Sequence, residues 1–401
     1  MGPNKHLTHF DDYAITDICK FKSIINDMNT DISNVTTSLK WDGSPAIVFG
    51  INPENSKFFL GTKSVFNKTP KINYSIKDIY DNHGHAVGLV EKLVQAFTYL
   101  ECNQDNINGI YQADILFTDK SLNFMREKDT TGNIVSFTPN LISYFVSDDL
   151  VDKNNSVIKD SKLGIVIHTK YTDLASPEPC FANPKDLLLP LNSDIFQFEI
   201  ESPASLFQKS IIANFNDNIK DALNKVNDDV AEEFSNSIYP QLLLQYNNHL
   251  LKSDSDCNFP ESKEQIHSEF LKWLFARRIE KLHQLKTEKS KLAQNELIKK
   301  DIEFFFRSDI LEHMSLIGPV YNEASKFKNF YLKSAGSNIP VEPRIWSSEK
   351  SNYLNFTHEG LVISYSKNGK TLWSTKIVNK HQFSLSNMLN SKFSKMRKTD
   401  E

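Results

Sequence analysis

The chain has 401 residues, more than one typical domain of roughly 100–200 residues, so we expect two or three units or one domain with a large insertion. Hydrophobic residues at 39% and aromatic residues at 11% exclude intrinsic disorder, collagen-like repeats and low-complexity filaments. Because 46 Lys and Arg are balanced by 50 Asp and Glu, no overall positive field favours nucleic acid or membranes, and a polyanion would need a local patch.

The cysteines and apolar runs predict a cytoplasmic protein without a membrane partner. Four cysteines lie far apart with no C-x-x-C pair, which argues against a zinc ribbon or a disulfide framework and fits a reducing compartment. The longest apolar runs are far shorter than the ~20 residues that a membrane helix needs. The first ten residues contain no apolar stretch of the kind that directs secretion.

Up to residue 198 the pattern predicts an α+β fold. A short amphipathic helix is predicted over residues 16–30, with apolar residues on one face: Ile18, Phe21, Ile24, Ile25 and Met28. A second helix is predicted over residues 86–100. Short strands are predicted at 46–50, 58–62, 110–117, 134–137, 141–146 and 163–169.

A helical block follows, and then the strand pattern returns. From about residue 202 to 334 the apolar spacing is helical, most clearly over 265–299. Segments 353–366 and 371–379, joined by an Asn-Gly turn, predict a hairpin that completes the N-terminal sheet, since an isolated hairpin is not stable alone. The predicted organisation is a first α+β part over 1–200, an inserted all-α domain over 201–335, and final strands with a basic tail over 336–401.

Lys40 is the first residue that indicates chemistry, because it opens a K-x-D-G turn in LKWDGSPAIVFG. A lysine acting as a nucleophile at neutral pH must lose its proton, which partial burial and neighbouring positive charge favour. Alone the string is a weak signal, since a solvated lysine before an ordinary Asp-Gly turn has the same sequence.

The string resembles motif I of the covalent nucleotidyltransferases, the superfamily of ATP-dependent DNA ligases, RNA ligases and mRNA capping enzymes, whose lysine becomes attached to a nucleoside monophosphate. Ser44, which follows Gly43, is more similar to the phage RNA ligases than to the DNA ligases. Thr62-Lys63-Ser64 resembles the basic turn that follows motif I in the phage enzymes.

Later segments resemble further motifs of this superfamily in the same order. IYQADILF resembles motif III, with Asp114 where the family usually has Glu. HEGLVIS resembles motif IV through Glu359, and STKIVNK resembles motif V through Lys376. The resemblance implies a nucleotidyltransferase (ATP-grasp-like ligase) fold of antiparallel sheets with helices, in which the helical block is an insertion. We expect no OB-fold, because too few residues follow Lys376.

The resemblance also implies ATP and Mg²⁺ (or Mn²⁺) as cofactors. Lys40 would attack the α-phosphate of ATP and release pyrophosphate, while Lys376 and Lys63 neutralise the phosphate oxygens. Asp42, Asp114 and Glu359 would bind the metal ion or its waters, or the ribose hydroxyls. The expected nucleotide-binding residues are Lys40, Asp42, Gly43, Ser44, Lys63, Asp114, Glu359 and Lys376, with Lys40 and Lys376 as the catalytic residues. His168 is interpreted as a hydrogen-bonded strand residue, with stacking on a base or assistance to a phosphate as the alternative.

The helical block supplies a local positive patch between residues 272 and 300. Within it, Arg277, Arg278 and Lys281 are expected to contact nucleic-acid phosphates. The alternative is a solvated helix whose Glu/Lys pairs only keep it soluble.

We therefore interpret the chain as an ATP-dependent polynucleotide ligase of nucleic-acid repair, acting on RNA rather than DNA, with a phage-like motif style. It would transfer AMP to a 5′-phosphate end and seal that end to a 3′-OH. Two alternatives stay open: a DNA ligase that seals nicks, and a catalytically inactive nucleic-acid-binding or interaction protein with the same fold.

Overall fold

The computed structural model describes residues 7–126, 133–175, 179–181, 187–199, 201–203, 206–253, 259–336, 341–347, 352–355, 358–368 and 370–378. In these ranges the structure is mixed α+β, as predicted, with helices and several β-sheets. The chain forms two compact units: an α+β unit from residues 33–204 and 335–376, and a helical unit from 8–32 and 205–334. No helix of the described ranges is long and apolar enough to cross a membrane.

The elements are labelled in chain order. The helices are α1 (Asp12–Thr16), α2 (Ile18–Thr30), α3 (Ile76–His83), α4 (Val87–Glu101), α5 (Leu206–Asn224), α6 (Asp228–Ser235), α7 (Tyr239–Ser253), α8 (Lys263–Gln265), α9 (Lys272–Gln284), α10 (Glu288–Phe305) and α11 (Ser308–Gly336). The strands are β1 (Val35–Lys40), β2 (Ala46–Ile51), β3 (Phe58–Gly61), β4 (Ile110–Thr118), β5 (Asn123–Arg126), β6 (Asn133–Phe137), β7 (Ser143–Ser147), β8 (Leu163–Tyr171), β9 (Pro179–Phe181), β10 (Ile195–Gln197), β11 (Glu201–Pro203), β12 (Glu342–Ser347), β13 (Asn352–Asn355), β14 (Gly360–Lys367) and β15 (Lys370–Val378).

Sheet I contains strands from both chain segments of the α+β unit. Its strand order is β11-β1-β14-β15. β1 pairs antiparallel with β14, so that Val35 lies opposite Tyr365 and Lys40 lies opposite Gly360. This pairing confirms the expectation that strands after the helical block complete the N-terminal sheet.

Sheet II contains Asp114 on its strand β4. Its strand order is β10-β8-β4-β2-β3, and β9 pairs with β8. One face of this sheet, with Ile47, Ala113 and Ile165, packs in a buried cluster with Leu93 and Phe97 of α4. Because successive side chains of a strand point to opposite faces, Asp114 of β4 lies on the face away from α4.

Sheet III shows that one of the strand predictions is wrong. Its order is β13-β12-β7-β6-β5, and β13 pairs antiparallel with β12. The single strand predicted over 353–366 is therefore wrong: it divides into β13 in sheet III and β14 in sheet I. The β14–β15 hairpin turns at Asn368, whose φ of 53° is a left-handed conformation that Asn tolerates.

The helical unit includes residues 8–32, which the sequence analysis had placed in the first α+β part. All five predicted apolar residues of α2 are buried. The ring of Phe21 lies 5.3 Å from that of Phe10, and Phe10 lies 5.2 Å from Phe327, which stacks on Phe215 at 4.5 Å. The apolar face of α2 thus packs against helices of the later block, and this packing explains the different boundary.

The long helix predicted over 265–299 is interrupted. A π-helical segment, Ile266–Leu271, separates α8 from α9, and residues 285–287 separate α9 from α10. The Thr287 hydroxyl caps α10 by accepting a hydrogen bond from the Ser290 N–H at 3.2 Å. The predicted basic tail after residue 380 lies outside the described residues.

Candidate functional site

The end of β1 brings Lys40 into an ion pair with Glu359. Since Lys40 is opposite Gly360 in the β1–β14 register, the residue before Gly360 lies beside the lysine side chain. Lys40 Nζ pairs directly with Glu359 Oε1. The structure therefore brings together Lys40 and Glu359, two residues singled out from the sequence, although the helical block lies between them in the chain.

Glu359 is the more deeply buried partner, with a side chain only 11% exposed. Burial raises the pKa of its carboxyl above the ordinary value, the Lys40 ammonium opposes this rise, and the charges of Asp42 and Asp114 add to it. Its second oxygen, Oε2, is buried without a hydrogen-bond partner among the described residues. Glu359 is thus a carboxyl group in contact with an ammonium and prone to accept a proton.

The turn after Lys40 is fixed by Asp42. Its backbone N–H donates to the Tyr144 hydroxyl at 2.8 Å. Its carboxylate accepts hydrogen bonds from Asn140 Nδ2 at 3.0 Å and from the Leu141 N–H at 3.3 Å. Tyr144 is fully buried, and this burial raises the pKa of its phenol well above the ordinary value, so it stays neutral. Asp42 therefore connects the turn to β7 and the loop before it.

Gly43 lets this turn contact Asp114 of β4. A Cβ atom at Gly43 would lie 2.4 Å from the Cβ of Asp114, closer than real Cβ contacts allow. The Ser44 N–H donates to the Ile115 carbonyl at 3.0 Å, and the Ile115 N–H donates to the Pro45 carbonyl at 3.1 Å. The K-x-D-G turn is consequently bonded along β4, with Asp114 directly beneath the glycine.

His168 also faces Asp114. The β4–β8 register shifts between Gln112 and Ala113, which face Thr169 and Ile167, so His168 is the additional residue of a β-bulge. Its Nε2 lies 3.7 Å from Asp114 Oδ2, and its Nδ1 lies 2.8 Å from Thr169 Oγ1. The Thr169 contact agrees with the interpretation of a hydrogen-bonded strand histidine, and the bulge places its ring beside the site.

The carboxylates of Asp42, Asp114 and Glu359 are expected to hold a metal ion or its waters or to bind the ribose hydroxyls, and that role stays a prediction. In the described part of the chain, no group of three or more His, Cys, Asp or Glu side chains could hold a metal ion. The Asp42 carboxylate accepts hydrogen bonds from Asn140 and Leu141, while Glu359 is paired with Lys40.

Lys63 and Lys376, the other two lysines expected to bind the nucleotide, lie after β3 and on β15. Lys63 is half-buried and begins a short 3₁₀ turn, Lys63–Phe66, directly after β3. Lys376 is half-buried on β15, the strand next to β14 in sheet I. Ser44 lies in the turn itself, where its carbonyl accepts a hydrogen bond from Lys92 Nζ at 2.7 Å.

The three residues expected to contact nucleic acid lie in different environments. Arg278 Nε binds Asp301 Oδ2 at 2.7 Å, and the Asp301 side chain is 0% exposed, so Arg278 joins α9 to α10 and the prediction of a free phosphate contact is wrong for it. The Arg277 guanidinium lies over the Trp273 ring, 4.7 Å from its centroid. Arg277 and Lys281 are both exposed.

Asn140, Tyr144 and Lys92 hold the K-x-D-G turn in place, and no sequence motif indicates them. Each contacts the turn from far along the chain, and none belongs to a local pattern that distinguishes it from an ordinary loop, strand or helix residue. The single signal in the sequence is that α4 contains one cationic residue, Lys92.

Comparison with known proteins gives a family. Residues 4–392 match the family of unknown function DUF6267. The chain belongs to this family. No curated protein and no solved structure matches the chain.

Proposed function

We propose that this protein is a covalent nucleotidyltransferase in which Lys40 takes a nucleoside monophosphate from ATP. The observation that supports the proposal most strongly is the Lys40–Glu359 ion pair. It forms where β1 and β14 pair, although these strands come from two separate chain segments of the α+β unit. Asp114 lies against the same turn through Gly43. Three residues from three separate sequence segments, Lys40, Asp114 and Glu359, thus lie around one turn.

The proposed reaction begins with a proton transfer. Lys40 must become a neutral amine before its nitrogen lone pair can react, and Glu359 is in direct contact and has a pKa raised by burial. The amine then attacks the α-phosphorus of ATP, forming an N–P bond and breaking the bond to the bridging oxygen. Pyrophosphate leaves with that electron pair, and the remaining excess proton on the nitrogen is released.

Other residues receive supporting roles in this proposal. Lys63 and Lys376 would neutralise phosphate oxygens where negative charge develops. Asp114, with its carboxylate beside the turn, would accept hydrogen bonds from the ribose hydroxyls. Because the described carboxylates do not form a three-ligand metal site, we assign no step to a protein-bound metal ion.

We further propose polynucleotide ligation as the overall reaction, with RNA as the preferred substrate over nicked DNA. Transfer of AMP from Lys40 to a 5′-phosphate would be followed by attack of a 3′-OH, which displaces AMP and seals the strand. The support for RNA is the phage-like string in which Ser44 follows Gly43. The fold proposed with this activity is the nucleotidyltransferase fold.

A binding protein without catalysis is the second candidate. The observation that favours it is that the Asp42 carboxylate accepts hydrogen bonds from Asn140 and Leu141, a structural role that needs no catalysis. In that case Lys40 and Glu359 would form a structural ion pair only.

Intact-mass spectrometry after incubation with ATP and Mg²⁺ separates the two candidates. The nucleotidyltransferase proposal predicts that the protein gains the mass of one AMP residue, and that added pyrophosphate reverses the gain. Lys40→Ala should remain unlabelled, whereas Lys57→Ala, which changes an exposed lysine of the same unit, should be labelled normally. An unlabelled wild-type protein would favour the binding protein.

A further inference from the structure

Helix α4 has one cationic side chain, Lys92, which is not among the residues of its buried apolar face. α4 packs on sheet II through an apolar face: Val90, Leu93, Ala96, Phe97 and Leu100. Lys92 lies beside this face and is half-buried. The helix is therefore already attached to the sheet without any contribution from the lysine.

The Lys92 ammonium forms its hydrogen bond with a neutral acceptor. Its Nζ donates to the Ser44 carbonyl at 2.7 Å. Burial lowers the pKa of its ammonium, and no charged group of the described residues contributes to that shift. Burying a charge without a counter-ion is unfavourable unless it makes a strong hydrogen bond, so the bond to Ser44 is what compensates this lysine.

The Ser44 carbonyl belongs to the turn that carries Lys40. On one side, the Ser44 N–H and the Pro45 carbonyl bond to Ile115 of β4. On the other side, Lys92 fixes the Ser44 carbonyl from α4. The turn is thus held between a strand and a helix that are themselves packed together in the sheet II core.

We propose that Lys92 is a positioning residue for the nucleophile: by holding the Ser44 carbonyl, it sets the place from which Lys40 reaches the α-phosphorus. This inference rests on the nucleotidyltransferase activity proposed above. Reactions of this kind depend strongly on alignment, because a displacement of about 1 Å at the reacting group can reduce the rate roughly a hundredfold. Lys92 acts through the backbone and does not touch the nucleotide.

The test measures Lys40 nucleotidylation as a function of ATP concentration in Lys92→Met and Lys92→Arg. Lys92→Met keeps the length of the side chain but removes the donor, so the rate at saturating ATP should fall roughly tenfold to a hundredfold while KM stays within about twofold. Lys92→Arg restores a charged donor and should recover most of the rate. Lys57→Met is the exposed control and should match the wild type.

Two kinetic results would overturn the inference: an unchanged saturating rate in Lys92→Met, with or without a raised KM, or equal losses of rate in Lys92→Met and Lys92→Arg. Amide hydrogen exchange of the peptide around residues 41–46 gives a readout that does not depend on activity. It should become faster in Lys92→Met and stay at the wild-type rate in Lys92→Arg, and unchanged exchange in Lys92→Met would also contradict the inference. A wild-type protein that forms no nucleotide adduct would reject the proposed function instead, so the two failures are distinguishable.

Discussion

Lys40 and Glu359 form an ion pair because β1 and β14 are neighbours in sheet I, with Lys40 opposite Gly360. The lysine ends one strand and the glutamate precedes the other, so the register alone places their side chains together. This pair is the centre of the candidate site, and its charges are coupled to those of Asp42 and Asp114.

The first prediction concerns how the Lys40–Glu359 pair makes the free energy of unfolding depend on pH. Burial raises the pKa of Glu359, so the folded state holds the proton more tightly than the unfolded state does. Its contribution to the free energy of unfolding is therefore fully present below the ordinary Glu pKa of about 4.3 and decreases as pH rises toward the raised value. Lys40→Met removes the ammonium that opposes this rise, so the decrease should be larger, by about 1–3 kcal/mol at pH 7 relative to pH 4.

Urea unfolding of Lys40→Met, Glu359→Gln and the double variant at several pH values measures this coupling. The double variant should lose the additional pH dependence of Lys40→Met, because the carboxyl that titrates is gone. Equal pH profiles for Lys40→Met and the wild type would mean that the two residues are not coupled in solution.

The second prediction concerns Gly43. In Gly43→Ala the new Cβ would lie 2.4 Å from the Cβ of Asp114, so the turn or β4 must shift. Overpacking of this kind typically destabilises by about 1–3 kcal/mol, and nucleotidylation should fall as well. Gly88→Ala is the matched control, because a Cβ there meets no atom within 4 Å and alanine favours the helix. A destabilisation no larger in Gly43→Ala than in Gly88→Ala would contradict the contact with Asp114.

The third prediction concerns the Tyr144 hydroxyl. Tyr144→Phe leaves the Asp42 N–H without its acceptor in a buried place, which should lower the free energy of unfolding by about 1–3 kcal/mol. Tyr80→Phe, at a side chain that is 58% exposed, should change it by less than about 0.5 kcal/mol. Chemical denaturation of both variants gives the comparison, and equal effects would remove Tyr144 from the support of the turn.

The fourth prediction separates two neighbouring arginines of α9. Arg278→Ala would leave the fully buried Asp301 without its cationic partner and should destabilise the protein by about 3–5 kcal/mol. Arg277→Ala should change stability by no more than about 1 kcal/mol, because it loses only a contact with Trp273 at the surface. Thermal unfolding of the two variants should therefore differ clearly, and similar melting temperatures would contradict the structural role of Arg278.

The fifth prediction concerns nucleic-acid binding by the two exposed cations. Changing Arg277 and Lys281 to Glu should weaken binding of single-stranded RNA and reduce the slope of log K against log salt by about 0.7 for each lost phosphate contact. Nucleotidylation of Lys40 should continue at the wild-type rate. Unchanged RNA affinity and salt slope would favour a solvated helix face.

Much of the secondary structure could be predicted because periodicity reports which side of each element is buried. The five apolar residues predicted for one face of α2 are all buried, and the predicted strand around Asp114 has Ala113 and Ile115 in the core, as alternation requires. Periodicity does not report which elements pack together, so the sequence did not place α2 in the helical unit or divide β13 from β14.

The site could be predicted in part for a related reason. Lys40, Gly43, Asp114 and Glu359 belong to short strings with recognisable order, and the structure brings them together. Asn140, Tyr144 and Lys92 act by supporting the backbone of the turn from distant elements, and such roles leave no local pattern. Arg278 was misjudged because its buried partner, Asp301, lies on the next helix.

The most direct measurement is the identification of the residue that carries the nucleotide. Wild-type protein is incubated with ATP and Mg²⁺, digested, and examined by tandem mass spectrometry. We predict an AMP adduct on the peptide that contains Lys40, at Lys40 itself, and no adduct in Lys40→Ala. The absence of any adduct on the wild type, or an adduct that persists on another residue of Lys40→Ala, would contradict the assignment of Lys40 as the nucleophile.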